Sequence, residues 1–223
     1  MSDPKQKLTT DQVRTAGADD WRQLGDAIRA RFATGDFATG LTFVAQIGEA
    51  AEAANHHPEI TLSYPEVIVT LNSHDVGGVT SRDIDLARQI SALAADLGAT
   101  ADRSGLTRLE VALDTANGSK LGPFYAALLG GSAKDDQVVD SSGQTTTLWW
   151  QAPEGGNGPE LPEPEVEQRW HLDVWVPHDE AEARLQAALD AGGRLISDET
   201  APSFWVLEDP EGNRSCICTS AGR

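Results

Sequence analysis

The chain has 223 residues, enough for one large domain or two of ordinary size, and at 39% hydrophobic and 23% charged residues it is built to fold. No apolar run approaches the roughly 20 residues of a membrane helix, and 1–10 is polar where a secretory signal would be apolar, so the expected setting is cytoplasmic. Seventeen Lys plus Arg against 35 Asp plus Glu leave a net charge of −18, a surface that repels phosphate backbones and anionic lipids and excludes nucleic-acid and membrane partners.

Thr9 or Thr10 can cap a short helix over 11–16. Ala30-Arg31-Phe32 reads as a strand, Thr34-Gly35-Asp36 as a turn, and Phe37 as the start of the partner strand. Over 41–55 the apolar residues Leu41, Val44, Ile47, Ala51 and Ala54 recur at helical spacing. Pro58 ends this helix. The residue before a proline is pushed out of the α region, which leaves His56 in the last turn and His57 outside it. Ile60-Thr61-Leu62-Ser63-Tyr64 and Val67-Ile68-Val69-Thr70-Leu71 read as two strands, and Gly77-Gly78 breaks the pattern. Thr80-Ser81-Arg82-Asp83 has the form of a capping box, with Asp in place of the usual Glu. Behind it Ile84, Ala87, Ile90, Leu93, Ala94 and Leu97 line one face of a helix. The order helix, two strands, helix, two strands, helix predicts an α+β fold, an antiparallel sheet with helices on one face. The small, polar stretch 99–105 reads as a linker between a domain over 1–100 and a second over 106–223.

Three of the five histidines, His56, His57 and His74, fall where elements end, and Glu52 lies one helical turn before His56. Imidazole titrates near pH ~6.5 when unperturbed, so rings gathered at a cleft can give and take protons at neutral pH. The alternatives are a capping role for the histidines and a purely structural one for Asp83. A zinc site is disfavoured because adjacent His56 and His57 diverge and no cysteine is near.

The pattern Glu52-x3-His56-His57-Pro58-x5-Tyr64-x9-His74-x8-Asp83 resembles the signature of the pterin-4a-carbinolamine dehydratases. Asn55-His56-His57-Pro58-Glu59, Leu71-Asn72-Ser73-His74-Asp75 and Gly78-Val79-Thr80-Ser81-Arg82-Asp83-Ile84 extend the resemblance over roughly residues 8–98. Ile60 stands where an aromatic residue is usual, and Ser73 where Thr is common. The resemblance implies loss of water from a 4a-hydroxytetrahydropterin to give the quinonoid dihydropterin, with no metal and no redox cofactor. It implies acid–base work by His56, His57 and His74 with support from Glu52 and Asp83. It also implies a pterin pocket lined by Asn55, Asn72, Ser73 and Asp75 together with the three histidines. A homo-oligomer is compatible with it.

The second half repeats itself at an offset of 61. Leu109-Glu110-Val111-Ala112-Leu113 aligns with Trp170-His171-Leu172-Asp173-Val174, Leu128 with Leu189, and Gly131 with Gly192. Further strands over 144–151, 204–207 and 214–218 complete two βαβββ units, joined by the acidic, Pro- and Gly-rich connector 153–167. Phe124-Tyr125-x2-Leu128-Leu129-Gly130 and Asp209-Pro210-Glu211-Gly212-Asn213 resemble the glyoxalase/bleomycin-resistance (vicinal oxygen chelate) superfamily. The ligand positions implied by that resemblance carry Glu110, Thr147, His171 and Cys216, two of them poor ligands for a hard divalent ion, so no metal is expected. His171, Asp173 and Trp175 share a strand face, and Trp149, Trp150, Trp170, Trp175 and Trp205 suit either an aromatic cavity or a core. Cys216 and Cys218 lie side by side on one face of a strand, a poor geometry for a mutual disulfide.

The leading expectation is a hydro-lyase acting on a small pterin. Two others stay open: a glyoxalase-like domain that carries the main lyase, oxygenase or small-molecule-binding function, and a first domain that serves as a dimerisation or protein-binding module.

Overall fold

In the computed structural model, which describes residues 4–103, 106, 110–115, 117–140, 142–143, 145–151, 172–176 and 181–219, the chain divides into two units, Met1–Arg108 and Leu109–Arg223. The expected connector over 153–167 lies outside the described residues. Among the described residues no helix is long and apolar enough to cross a membrane.

The first unit runs α1 (Thr10–Arg14), β1 (Arg22–Leu24), β2 (Ala27–Ala33), α2 (Phe37–Ala54), β3 (Glu59–Ser63), β4 (Glu66–Leu71), α3 (Ser81–Asp96) and β5 (Thr100–Ala101). Its strands form an antiparallel sheet in the order β1-β2-β4-β3, with β5 also paired to β2. Alternation along β2 and β4 turns Ile28, Ala30, Phe32, Val67, Val69 and Leu71 to one face, where they pack with Phe43 and Ile47 of α2 and Ile84, Leu86 and Ile90 of α3. The Phe32 ring meets Trp21 and Phe43 edge-on, at centroid distances of 6.3 and 5.3 Å. The expected α+β arrangement is thus present, but three of its details differ.

Phe37 opens α2 and not a strand. Asp36 is its N-cap, in extended backbone, and accepts a hydrogen bond from the Thr39 amide at 2.8 Å. The partner that β2 was expected to find after the turn lies before it, in the three-residue β1. At the other end α2 stops at Ala54. Asn55 adopts the left-handed conformation (φ 47°), its amide donates to Glu52 O (3.2 Å), and the His56 amide donates to Ala51 O (3.1 Å). His56 is therefore outside the helix, not in its last turn. The start of the expected linker belongs to the sheet: Thr100 and Ala101 pair with β2, and Asp102 binds Arg31 through its amide (2.8 Å) and its carboxylate (2.9 Å).

The second unit contains two modules of the same topology. The first is β6 (Glu110–Asp114), α4 (Gly118–Leu129), β7 (Ser132–Lys134), β8 (Gln137–Val139) and β9 (Thr147–Gln151), with sheet order β6-β9-β8-β7. The second is β10 (Leu172–Trp175), α5 (Ala181–Asp190), β11 (Arg194–Ser197), β12 (Phe204–Glu208) and β13 (Arg214–Cys218), with order β10-β13-β12-β11. In each, the first and last strands pair in parallel and the other pairs are antiparallel. The sequence reading ended the first helix at Gly131 and named no strand where β7, β8 and β11 lie. Leu121, Phe124 and Leu128 of α4 share one core with Leu148, Trp150, Trp205, Leu207 and Ile217, so two of the tryptophans are core residues. Cys216 and Cys218 are buried and not joined in a disulfide.

Candidate functional site

Three chain segments bring the site of the first unit together: the Asn55–Pro58 connection after α2, the turn between β4 and α3, and the N-terminus of α3. The capping box predicted at that N-terminus is complete, with the Thr80 amide donating to Asp83 Oδ2 at 2.7 Å. Asp83 does more than cap. It is fully buried, and its Oδ2 also accepts from the hydroxyls of Ser73 (2.7 Å) and Thr80 (3.2 Å). Its other oxygen, Oδ1, lies 2.7 Å from His56 Nε2, and the His56 ring is itself buried at 8% exposure. A carboxylate only accepts hydrogen bonds, so the network assigns the proton of His56 to Nε2 and leaves the lone pair on Nδ1. The result is an imidazole held in one tautomer and one orientation by a carboxylate that is anchored on three further donors.

Glu52 is not the partner of His56, as helical spacing had suggested. Because the chain leaves the helix at Asn55, Glu52 Oε1 approaches His57 Nε2 instead, at 3.2 Å, and both side chains are exposed. The three histidines thus differ: His56 is buried on a carboxylate, His57 is exposed beside one, and His74 is exposed on the turn after β4.

The remaining expected pocket residues divide likewise. Ser73 is buried, and its hydroxyl donates to Asp83 and lies 2.8 Å from the Thr80 hydroxyl. Asn72 donates its amide to Asp26 O at 2.6 Å, tying the turn to the β1–β2 hairpin. Asp75 accepts from Arg82 at 2.7 Å, with Lys5 Nζ at 3.7 Å, and the Arg82 hydrogen bond together with the two nearby cations holds its carboxyl below the usual carboxylate range. Asn55 is exposed at the end of α2. Sequence reasoning gave Thr80 and Arg82 no part in the site. The capping-box spacing was the available signal for Thr80, whereas nothing in the spacing pointed to Arg82.

In the second unit the two motifs that suggested its family meet physically. Tyr125 OH donates to Asp209 Oδ2 at 3.0 Å, and Asp209 also accepts from the amides of Glu211 (2.9 Å) and Asn213 (2.8 Å) and from Asn213 Nδ2 (2.7 Å). Burial, with Asp209 beside it, pushes the Tyr125 phenol up. Glu211 in turn accepts from Thr115 Oγ1 (2.7 Å) and from the Asn117 side chain. Of the four implied ligand positions, His171 lies outside the described residues, as does Trp170, and the side chains of Glu110, Asp173 and Trp175 lie outside them too. The strand register corrects the alignment of the other two. Val111 pairs with Leu148 and Leu172 with Ser215, so matching Val111 to Leu172 sets Thr147 against Arg214 and Cys216 against Trp149. Thr147 and Cys216 are therefore not equivalent positions. Among the described residues no group of three His, Cys, Asp or Glu side chains is placed to hold a metal ion.

The family model for pterin 4 alpha carbinolamine dehydratase matches residues 6–93, and the model for a glyoxalase-like domain matches residues 110–218. A protein of Thermosynechococcus vestitus, provisionally named a pterin-4-alpha-carbinolamine dehydratase, is 42% identical over 83 residues, which cover 37% of this chain and 87% of that protein. One of Halobacterium salinarum with the same provisional name is 43% identical over 89 residues, 40% of this chain and 94% of its own. Among solved structures, a transcriptional coactivator/pterin dehydratase from Brucella melitensis is 38% identical, with a TM-score of 0.39, covering 40% of this chain and 99% of its own. A glyoxalase/bleomycin resistance protein from Albidiferax ferrireducens is 20% identical, with a TM-score of 0.35, covering 49% and 95%.

Proposed function

Because the chain belongs to the pterin-4a-carbinolamine dehydratase family through its first half and joins to it a glyoxalase-like domain, we propose that it dehydrates a 4a-hydroxytetrahydropterin by histidine acid–base catalysis. The observation that carries this reading is the buried His56–Asp83 pair at 2.7 Å, with Asp83 anchored on Ser73 and Thr80. The reaction needs two proton transfers. A base takes the proton from N5, the electron pair of that bond forms N5=C4a, the C4a–O bond breaks, and an acid protonates the leaving hydroxide to water. The change is redox-neutral, so the chemistry calls for no redox cofactor.

In this reading His56, oriented by Asp83, His57, beside Glu52, and His74 are the catalytic groups that share the two transfers. Asn55, Asn72 and Asp75 flank the pterin, while Ser73 acts through Asp83. The setting is cytoplasmic.

The test is stopped-flow dehydration of 4a-hydroxytetrahydropterin by the full chain. His57→Ala and His74→Ala should each lower kcat by about a hundredfold, with melting temperatures close to that of the parent because both side chains are exposed. Activity should survive dialysis against EDTA. Turnover no faster than the uncatalysed rate, full activity in both variants, or loss on dialysis with recovery on adding zinc would each overturn the reading.

A further inference from the structure

The turn that carries His74 is closed on itself and then pressed from outside by the N-terminal segment. Within the turn, the Ser73 amide donates to Gly78 O at 3.0 Å, and Ser73 O accepts from the amides of Val76 (2.9 Å) and Gly77 (3.0 Å). From outside, the Leu8 amide donates to Val79 O at 2.8 Å and Lys7 Nζ donates to Gly77 O at 2.7 Å. Between these two bonds the Lys7 stem lies on the backbone of Gly78 so closely that a Cβ there would collide with its Cδ and Cε. Gly77 itself holds φ +65°, a left-handed conformation that favours glycine. Gly77 is thus favoured by its backbone conformation, while a side chain at Gly78 would have to push the flexible Lys7 stem aside. None of these bonds is made by the His74 ring, whose direction is inherited from the backbone they fix.

We propose that Lys7 is a positioning residue for His74: its stem on Gly78 and its ammonium on Gly77 O hold the 73–78 turn in the conformation that presents the ring. The proposal rests on the catalytic role given to His74 above. Within the same turn Asp75 is held by Arg82 at 2.7 Å, so a second contact restrains the segment beside the exposed His74. Lys7 touches no reacting atom in this arrangement. Its effect should appear in the rate of the proton-transfer step and in the order of the turn, not in substrate affinity.

The experiment compares the full chain with Lys7→Ala, Lys7→Arg, Gly78→Ala and the double variant Lys7→Ala/Gly78→Ala. Lys7 is exposed and Gly78 has no left-handed requirement, so these chains should fold. In Lys7→Ala, amide hydrogen exchange at Val76 and Gly77 should quicken about tenfold while Val69 in β4 is unchanged. Turnover of 4a-hydroxytetrahydropterin should fall roughly tenfold in kcat with KM within about twofold, and Lys7→Arg should restore both. Gly78→Ala, which displaces the same stem, should match Lys7→Ala, and the double variant should be no worse than either single one. Unchanged exchange at the turn, additive losses in the double variant, or a kcat loss without faster exchange would overturn the proposal. If the parent chain does not dehydrate the pterin at all, the catalytic reading fails and with it the role for His74; faster exchange in Lys7→Ala would then still establish the grip on the turn.

Discussion

Each unit buries one aspartate that gathers four hydrogen bonds, and the difference between the two lies in their ring-bearing partners. Asp83 accepts from Ser73, from the amide and hydroxyl of Thr80, and from His56. Asp209 accepts from two amides, from the Asn213 side chain, and from Tyr125. An imidazole held through one nitrogen keeps a second one free to exchange a proton. A phenol held through its oxygen has no second proton-exchanging atom, and burial makes its proton harder to remove. The same device, a buried carboxylate saturated with donors, therefore orients a group suited to acid–base work in one unit and pins a loop to a helix in the other.

The sharpest way to break this comparison is to neutralise each carboxylate in turn. Asp83→Asn removes the charge and turns one of the two accepting oxygens into a donor, which loosens the hold on the His56 tautomer and should lower dehydratase kcat by at least about a hundredfold. Asp209→Asn should leave kcat within about twofold and act on stability alone, by about 1–3 kcal/mol, because a buried network loses its charged acceptor. Stopped-flow turnover and urea unfolding on the same two samples separate the outcomes. Equal losses of activity in both variants would show that the two nodes do not differ in kind.

The sequence showed these nodes unevenly, and the reasons are physical. The capping box at α3 was legible because Thr80 and Asp83 interact within one turn of helix. The His56–Asp83 contact spans 27 residues and arises only when the end of α2 meets the start of α3, so no local spacing could show it; the family pattern supplied both residues but not their pairing. Glu52 was assigned to His56 on helical spacing that the left-handed Asn55 interrupts. β1 went unseen because Arg22-Gln23-Leu24 is a three-residue edge strand with no buried member. The internal repeat was legible in its strands, while the helix ends slip by one residue: Gly130 and Gly192 both take positive φ, where Gly131 had been aligned to Gly192.

A smaller effect tests the second node by pH. The folded-state pKa of Tyr125 is raised, so its contribution to stability is complete below the unfolded value near 10 and is lost as pH rises towards the folded value. The difference in urea midpoint between the parent and Tyr125→Phe should be constant below about pH 10 and shrink above it. A difference that stays constant or grows at high pH would mean that the phenol proton is not held by burial.

The smallest expected effect belongs to a carboxylate that neither unit buries. Asp75 is paired with Arg82 at 2.7 Å, and its side chain is 44% exposed, so solvent screens the pair and its contribution is slight. The sign is opposite to that of Tyr125. The folded-state pKa of Asp75 is lowered, chiefly by the hydrogen bond from Arg82, so the pair stabilises the fold above the unfolded value near 3.9 and the contribution is lost as pH falls through the folded value. The melting-temperature difference between the parent and Asp75→Asn should accordingly be small, present above about pH 4, and diminishing below it. Added salt should shrink it further, as it would not for Asp83, which is fully buried. A large, salt-insensitive difference would place Asp75 with the two buried carboxylates, and would mean that the turn carrying His74 draws its rigidity from this ion pair as much as from Lys7 and the Gly77-Gly78 backbone.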